Sequence, residues 1–186
     1  MPTGRWAPRD SPPPSSWSAA ADRFAAKEAT AIRTDRNSRN VALRNPQSNR
    51  RAIAPESTPG DGRELADEAL AAALDKKAME PVMLDVRELC SYANYLLLVS
   101  GRSDRQVDAI ADAVQERLKG QATLSGHEGI GSGHWVLLDY GDLLVHVFHH
   151  PVREHFDLEG LWSDAPLVLI DIPPDAHIQP EDLYPH

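Results

Sequence analysis

The hydrophobic pattern of the chain changes character near residue 62. Before that point no helical or strand period is sustained. Residues 19–32 could form a short helix whose alanines give it little to bury, and from 33 to 59 single aliphatics are scattered among Arg, Asn, Ser and Pro. After it, regular apolar spacing begins. Leu65, Ala69, Ala72, Ala73 and Lys76 step at helical intervals, and Asp61-Gly62-Arg63-Glu64 has the form of a capping box, so a helix is predicted over 63–77. Pro81 separates it from a short strand at 82–86. Residues 94–100 (Asn-Tyr-Leu-Leu-Leu-Val-Ser) are apolar almost throughout, which predicts a strand buried on both faces with helices above and below. Val107, Ile110, Ala111, Val114 and Leu118 then form one apolar stripe, with Ser103–Gln106 as a second capping box and Gly120 at the far end. A helix over 103–119 is expected.

The next segments read as sheet. Residues 123–128 form a weak strand, and Gly129–Gly133 a glycine-rich connection. A hairpin follows, with strands at 134–139 and 142–148 around Tyr140-Gly141. Pro151 opens a last amphipathic helix over 151–161, and 167–172 is a candidate edge strand before a loose, Pro-rich, acidic tail. The order α-β-β-α-β-β-β-α predicts an α/β domain with a mixed β-sheet flanked by helices. The expected organisation is an N-terminal extension over 1–62, a folded domain over 63–166 and a C-terminal tail over 167–186.

Charge sharpens this division. The 186 residues carry 19 Lys+Arg and 28 Asp+Glu, a net of −9. Residues 1–62 hold 10 basic and 6 acidic residues, whereas 63–186 hold 9 and 22, so a +4 segment precedes a −13 remainder. The N-terminal segment, with 8 of the 15 prolines, is too poor in apolar surface to offset chain entropy and is expected to be disordered. A flexible basic tail, a transit peptide and a misassigned start are the readings open for it. Six acids weigh against the second, and no apolar core follows that would make a secretory signal. The acidity of the rest excludes direct nucleic-acid binding by the folded domain. One cysteine, Cys90, leaves no internal disulfide and no multi-Cys zinc site, and no apolar run reaches membrane-helix length.

Candidate chemistry is sparse. His146, His149, His150 and His155, with Glu154 and Asp157 nearby, lack the helical spacing of a metal motif, and no metal or cofactor is expected. Asp139 and Asp142 flank a turn and do not share one strand face, so a metal-dependent nucleotidyltransferase is an unfavoured alternative. The Gly129–Gly133 run lacks the Lys and the following helix of a phosphate loop. Ser103 lies in no nucleophile elbow and Cys90 has no evident dyad partner. Trp135 stands out. Strand alternation places Trp135, Leu137 and Asp139 on one face and Val136, Leu138 and Tyr140 on the other. An aromatic ringed by aliphatics and acids is either an interface anchor or a core residue.

Three stretches carry a family resemblance: Ser100–Asp112 (SGRSDRQVDAIAD), Gly133–Phe148 (GHWVLLDYGDLLVHVF) and Arg153–Pro166 (REHFDLEGLWSDAP). In this order they resemble the ribosomal silencing factor family, RsfS or Iojap. Asn94 stands where relatives commonly have Asp, Phe156 where they have Tyr, and Gly160 falls inside the last helix. The resemblance implies a nucleotidyltransferase-like topology without the catalytic acids. It implies a cytoplasmic, non-enzymatic translational repressor that binds the large ribosomal subunit through ribosomal protein fourteen and sterically blocks joining of the small subunit. Large-subunit assembly is the alternative role, and free members are often homodimers. Carried over by position, the partner-binding face comprises Trp135, Leu137, Asp139, Tyr140 and Asp142, with Arg105 supporting it.

Overall fold

The computed structural model describes residues 62–177, and the readings made above for 1–61 and 178–186 lie outside the described residues. Five strands form one sheet in the order β1-β2-β5-β4-β3. They are β1 (Met79–Asp85), β2 (Tyr95–Gly101), β3 (Gly126–Glu128), β4 (Trp135–Asp139) and β5 (Leu143–His149). β2 and β5 run parallel, and the other three pairings are antiparallel. The sheet is therefore mixed, as expected.

β2 and β5 occupy the middle and are buried on both faces. Tyr95, Leu97, Val99, Leu143, Val145 and Val147 point to one side, where they meet helices α1 (Arg63–Asp75) and α2 (Asp104–Leu118). Leu96, Leu98, Leu144 and Phe148 point to the other side, against α3 (His150–Phe156), α4 (Leu158–Leu161) and Trp162. The buried face of α1 consists of Ala66, Ala69, Leu70, Ala72 and Ala73. Such small side chains cover little area each but let the helix lie close to the sheet and to α2.

Local chemistry explains the end of α1 and the start of α2. Ser103 caps α2 by accepting from the Gln106 N–H at 3.3 Å. The reciprocal half of the expected capping box is absent. Gln106 instead accepts from the Arg102 N–H at 2.8 Å and donates to the carbonyls of Lys76 and Lys77 at 2.9 Å each. It thereby satisfies the exposed carbonyls that end α1. Asp61 of the other expected box lies outside the described residues.

Three expectations are corrected. Pro81 does not precede β1 but lies within it, at a bulge where Glu80 takes φ +45°. β1 is an edge strand, so the missing proline N–H costs no ladder bond. The last helix is broken into α3 and α4 at Asp157, which adopts φ 44°, ψ 49° and accepts from the Gly160 N–H. A Cβ on Gly160 would stand 2.4 Å from the Asp157 carboxylate, so glycine there permits the cap. Residues 167–172 form no continuous strand: a single bridge joins Leu167 to Leu84, and the Val168 N–H bonds the Met83 carbonyl. The chain from 167 to 177 is nonetheless packed, with Val168 and Ala176 buried and Lys77 paired to Asp175 at 2.7 Å.

One buried charge ties the α3 layer to the sheet. Arg153 donates to the Glu80 carbonyl at 2.6 Å, to Ser100 Oγ at 3.0 Å and to Glu159 at 2.8 Å. Removing it strands a carbonyl and a half-buried carboxylate. Arg153→Met is expected to lower the unfolding free energy by about 3 kcal/mol, seen as a lower urea midpoint at an unchanged slope.

Candidate functional site

The β4–β5 hairpin holds most of the residues singled out in the sequence. Its register pairs Trp135 with Phe148, Leu137 with His146 and Asp139 with Leu144. Trp135 and Leu137 are core residues, 4% and 3% exposed. The Trp135 ring packs against Phe148 and Phe156 at centroid distances of 6.3 and 6.1 Å and against His146 at 6.0 Å. Phe156, reaching over from α3, closes this aromatic stack from outside and is itself half-buried.

His146 is the polar member of the stack and is fully buried. The Trp135 indole N–H donates to its Nδ1 at 3.3 Å, which makes Nδ1 the unprotonated nitrogen of a neutral ring. Burial strips the imidazolium of its hydration and pushes the pKa down to about 3.

At the other end of the hairpin lies the turn. Gly141 has φ +81°, and its N–H donates to Asp139 Oδ1 at 2.8 Å. Asp142 is exposed; its carbonyl accepts from the Asn94 and Tyr95 N–H groups, and Oδ1 accepts from Asn94 Nδ2 at 3.3 Å. The two carboxylates thus serve separate partners around the turn. Tyr140 turns to the α2 side, where it lines a shallow hollow with Asp112, Glu116, Lys119 and Leu124, and burial raises its phenol pKa.

The structure gathers Asp139, Tyr140 and Asp142 at this turn. Trp135 and Leu137 lie beneath the neighbouring surface. Arg105 is exposed but belongs to the opposite end. α2 starts where β2 ends, and β2 runs parallel to β5, so Arg105 sits beyond the C-terminal end of β5 while the turn precedes its start. The five residues of β4 alone separate these ends by about 13 Å. Arg105 therefore does not adjoin the turn.

The same topology assembles a group that sequence reading left apart. Asp104, in the first turn of α2, His134, just before β4, and His149, at the end of β5, each present one ligand-type atom within 4.8 Å of the others. His149 lies opposite His134 across the hairpin, and its N–H donates to the His134 carbonyl at 2.8 Å. The signal was the hairpin register: pairing Trp135 with Phe148 sets His134 opposite His149 on the α2 side. His146, three residues earlier, faces away, which separates the four histidines noted in the sequence.

Geometry and charge together describe a compact α/β module with an acidic surface, a rigid aromatic-backed hairpin and no membrane-length apolar helix among the described residues. The family model described as "Ribosomal silencing factor during starvation" matches residues 59–183. The chain belongs to this family. It is 43% identical over 108 residues to the Bacillus subtilis ribosomal silencing factor, an alignment spanning 55% of this chain and 88% of that protein. It is 38% identical over 110 residues to the Halalkalibacterium halodurans one, spanning 59% and 94%. The crystal structure of a Chromobacterium violaceum protein superposes with a TM-score of 0.53 at 35% identity, covering 60% of this chain and 91% of that one.

Burial of His146 makes stability depend on pH in a defined window. The unfolded imidazole titrates near 6.5 and the folded one near 3, so the unfolded chain binds the extra proton between these values. The stabilisation is complete above about pH 6.5 and is lost as pH falls toward about 3. His146→Gln keeps an acceptor for the indole and does not titrate. Between pH 7 and 5 the parent chain should lose about 2 kcal/mol more unfolding free energy than this variant in urea titrations. Equal losses would show that His146 does not titrate as its burial requires.

Proposed function

We propose that the chain is a non-enzymatic translational repressor. It binds the large ribosomal subunit through ribosomal protein fourteen and, by its bulk, prevents the small subunit from joining. The observation that carries this reading is the family match over residues 59–183, which takes in all three sequence stretches that resemble silencing factors. Surface charge supports it. Residues 63–177 hold 20 acidic against 9 basic side chains, and an acidic face is steered toward a basic ribosomal protein rather than toward bare RNA. A steric blocker requires affinity and a firm surface, not turnover.

The docking face we infer is the β4–β5 turn and the surface beside it. Asp142 and the half-buried Asp139 supply the outer contacts, Tyr140 is buried at the turn and reaches only the hollow on the α2 side, and Trp135 and Leu137 back the hairpin from below. This division changes the choice of test. Trp135→Ala would remove a core side chain and cost stability of about 3–5 kcal/mol before any binding is measured. Asp142→Lys alters an exposed charge. Asp139→Asn removes a charge but keeps an oxygen for the Gly141 N–H.

The test is sedimentation of purified chain with free large subunits, followed by addition of small subunits. The expected result is co-sedimentation with the large subunit and reduced reassociation. Asp142→Lys should weaken binding about tenfold, equivalent to about 1.4 kcal/mol, and the defect should shrink as salt is raised. Normal reassociation at saturating protein would refute the repressor reading. Undiminished binding by both Asp139→Asn and Asp142→Lys would refute the placement of the face.

A further inference from the structure

We propose that Asp104, His134 and His149 form a binding site for a divalent transition-metal ion of the zinc class. The argument starts from distances. His149 Nδ1 stands 3.5 Å and His134 Nδ1 3.7 Å from the same oxygen, Asp104 Oδ1. Charge-assisted N–H···O bonds close to about 2.7–2.9 Å, so these groups face a common point without bonding one another. Tetrahedral zinc, with bonds of about 2.0–2.1 Å, spaces its ligand atoms about 3.3 Å apart. The two distances to Asp104 Oδ1 are within a few tenths of an ångström of that spacing, and all three ligand atoms lie within 4.8 Å of one another.

The backbone holds them there. His134 and His149 are locked by the hydrogen bond across the hairpin, and Ser103 fixes the start of α2 immediately before Asp104. Gly133, at φ +70°, lets the β4 end come against Asp104: a Cβ there would stand 2.2 Å from the Asp104 Cβ. The close approach of strand end and helix start is thus built in by a residue without a side chain. The side chains are about one-third exposed for the two histidines and more than half exposed for Asp104, which leaves a coordination position facing solvent for water.

The donor set decides the ion. Two imidazole nitrogens and one carboxylate suit zinc, nickel or copper, whereas magnesium and calcium require oxygen ligands. The carboxylate offsets the partial positive charge at the N-terminus of α2, which would otherwise oppose a cation. A bound ion would join the start of α2 to the ends of β4 and β5. This assignment stands independently of the ribosomal reading, because the site lies at the other end of the hairpin from the proposed docking turn.

Calorimetric titration of the full, tag-free chain with Zn2+ tests it, with His134→Gln, His149→Gln and Asp104→Asn as site variants and His127→Gln and His155→Gln as controls. The expected result is one equivalent bound by the parent and both controls. Each histidine variant should bind at least tenfold more weakly. Saturating Zn2+ should raise the melting temperature of the parent and the controls, and this rise should be lost in the histidine variants, whose metal-free melting temperatures report that they fold. Absence of binding by the parent overturns the assignment. So does binding that survives undiminished in both His134→Gln and His149→Gln.

Discussion

The parallel pairing of β2 with β5 is the constraint on which the rest of the molecule depends. Both strands are buried on both faces, so neither can face water and each side of the sheet must be covered. α1 and α2 supply one cover, and α3, α4 and Trp162 the other. A parallel pair also needs a crossover, and α2 with the β3–β4 segment makes it. Buried polar side chains on these strands find partners on the α3 side. Ser100 accepts from Arg153, and His146 accepts from the Trp135 indole. The two buried polar contacts that define the α3 side are consequences of the central pair.

The hairpin extends this core to the surface and gives its two ends different characters. At the turn, Gly141 and the carboxylate of Asp139 close a tight loop, and Asp142 fastens it to the start of β2. At the other end, the strand termini meet the start of α2 because β2, which leads into that helix, runs parallel to β5. Two histidines and an aspartate from distant sequence positions converge there.

The acidity of the folded part takes on a specific meaning against this architecture. On the proposed reading of a steric blocker, the interface has to be firm and charged to suit its partner. The turn carboxylates have separate partners: Asp139 accepts from the Gly141 N–H and Asp142 from the Asn94 amide.

Much of this was legible in the chain. The apolar run at 94–100, the stripe from Val107 to Leu118 and the alternation around Tyr140-Gly141 specify a doubly covered strand, an amphipathic helix and a hairpin, because period and side-chain type are local properties. The three long motifs carried the family. What local pattern could not decide were matters of contact across sequence. Trp135 reads equally as an anchor or a core residue until Phe148 and Phe156 are seen to enclose it. Gln106 looks like half of a capping box until the end of α1 arrives within reach of its amide. The break at Asp157 depends on a left-handed backbone that Gly160 makes room for, and the sheet edge at 167–172 never becomes a strand because a single bridge to β1 is all that forms. Sequence by itself determined the elements, the charge division and the family. Only the tertiary structure decided which residues are neighbours, since strand register and the parallel β2–β5 crossover bring Asp104, His134 and His149 together and set Arg105 apart from the turn.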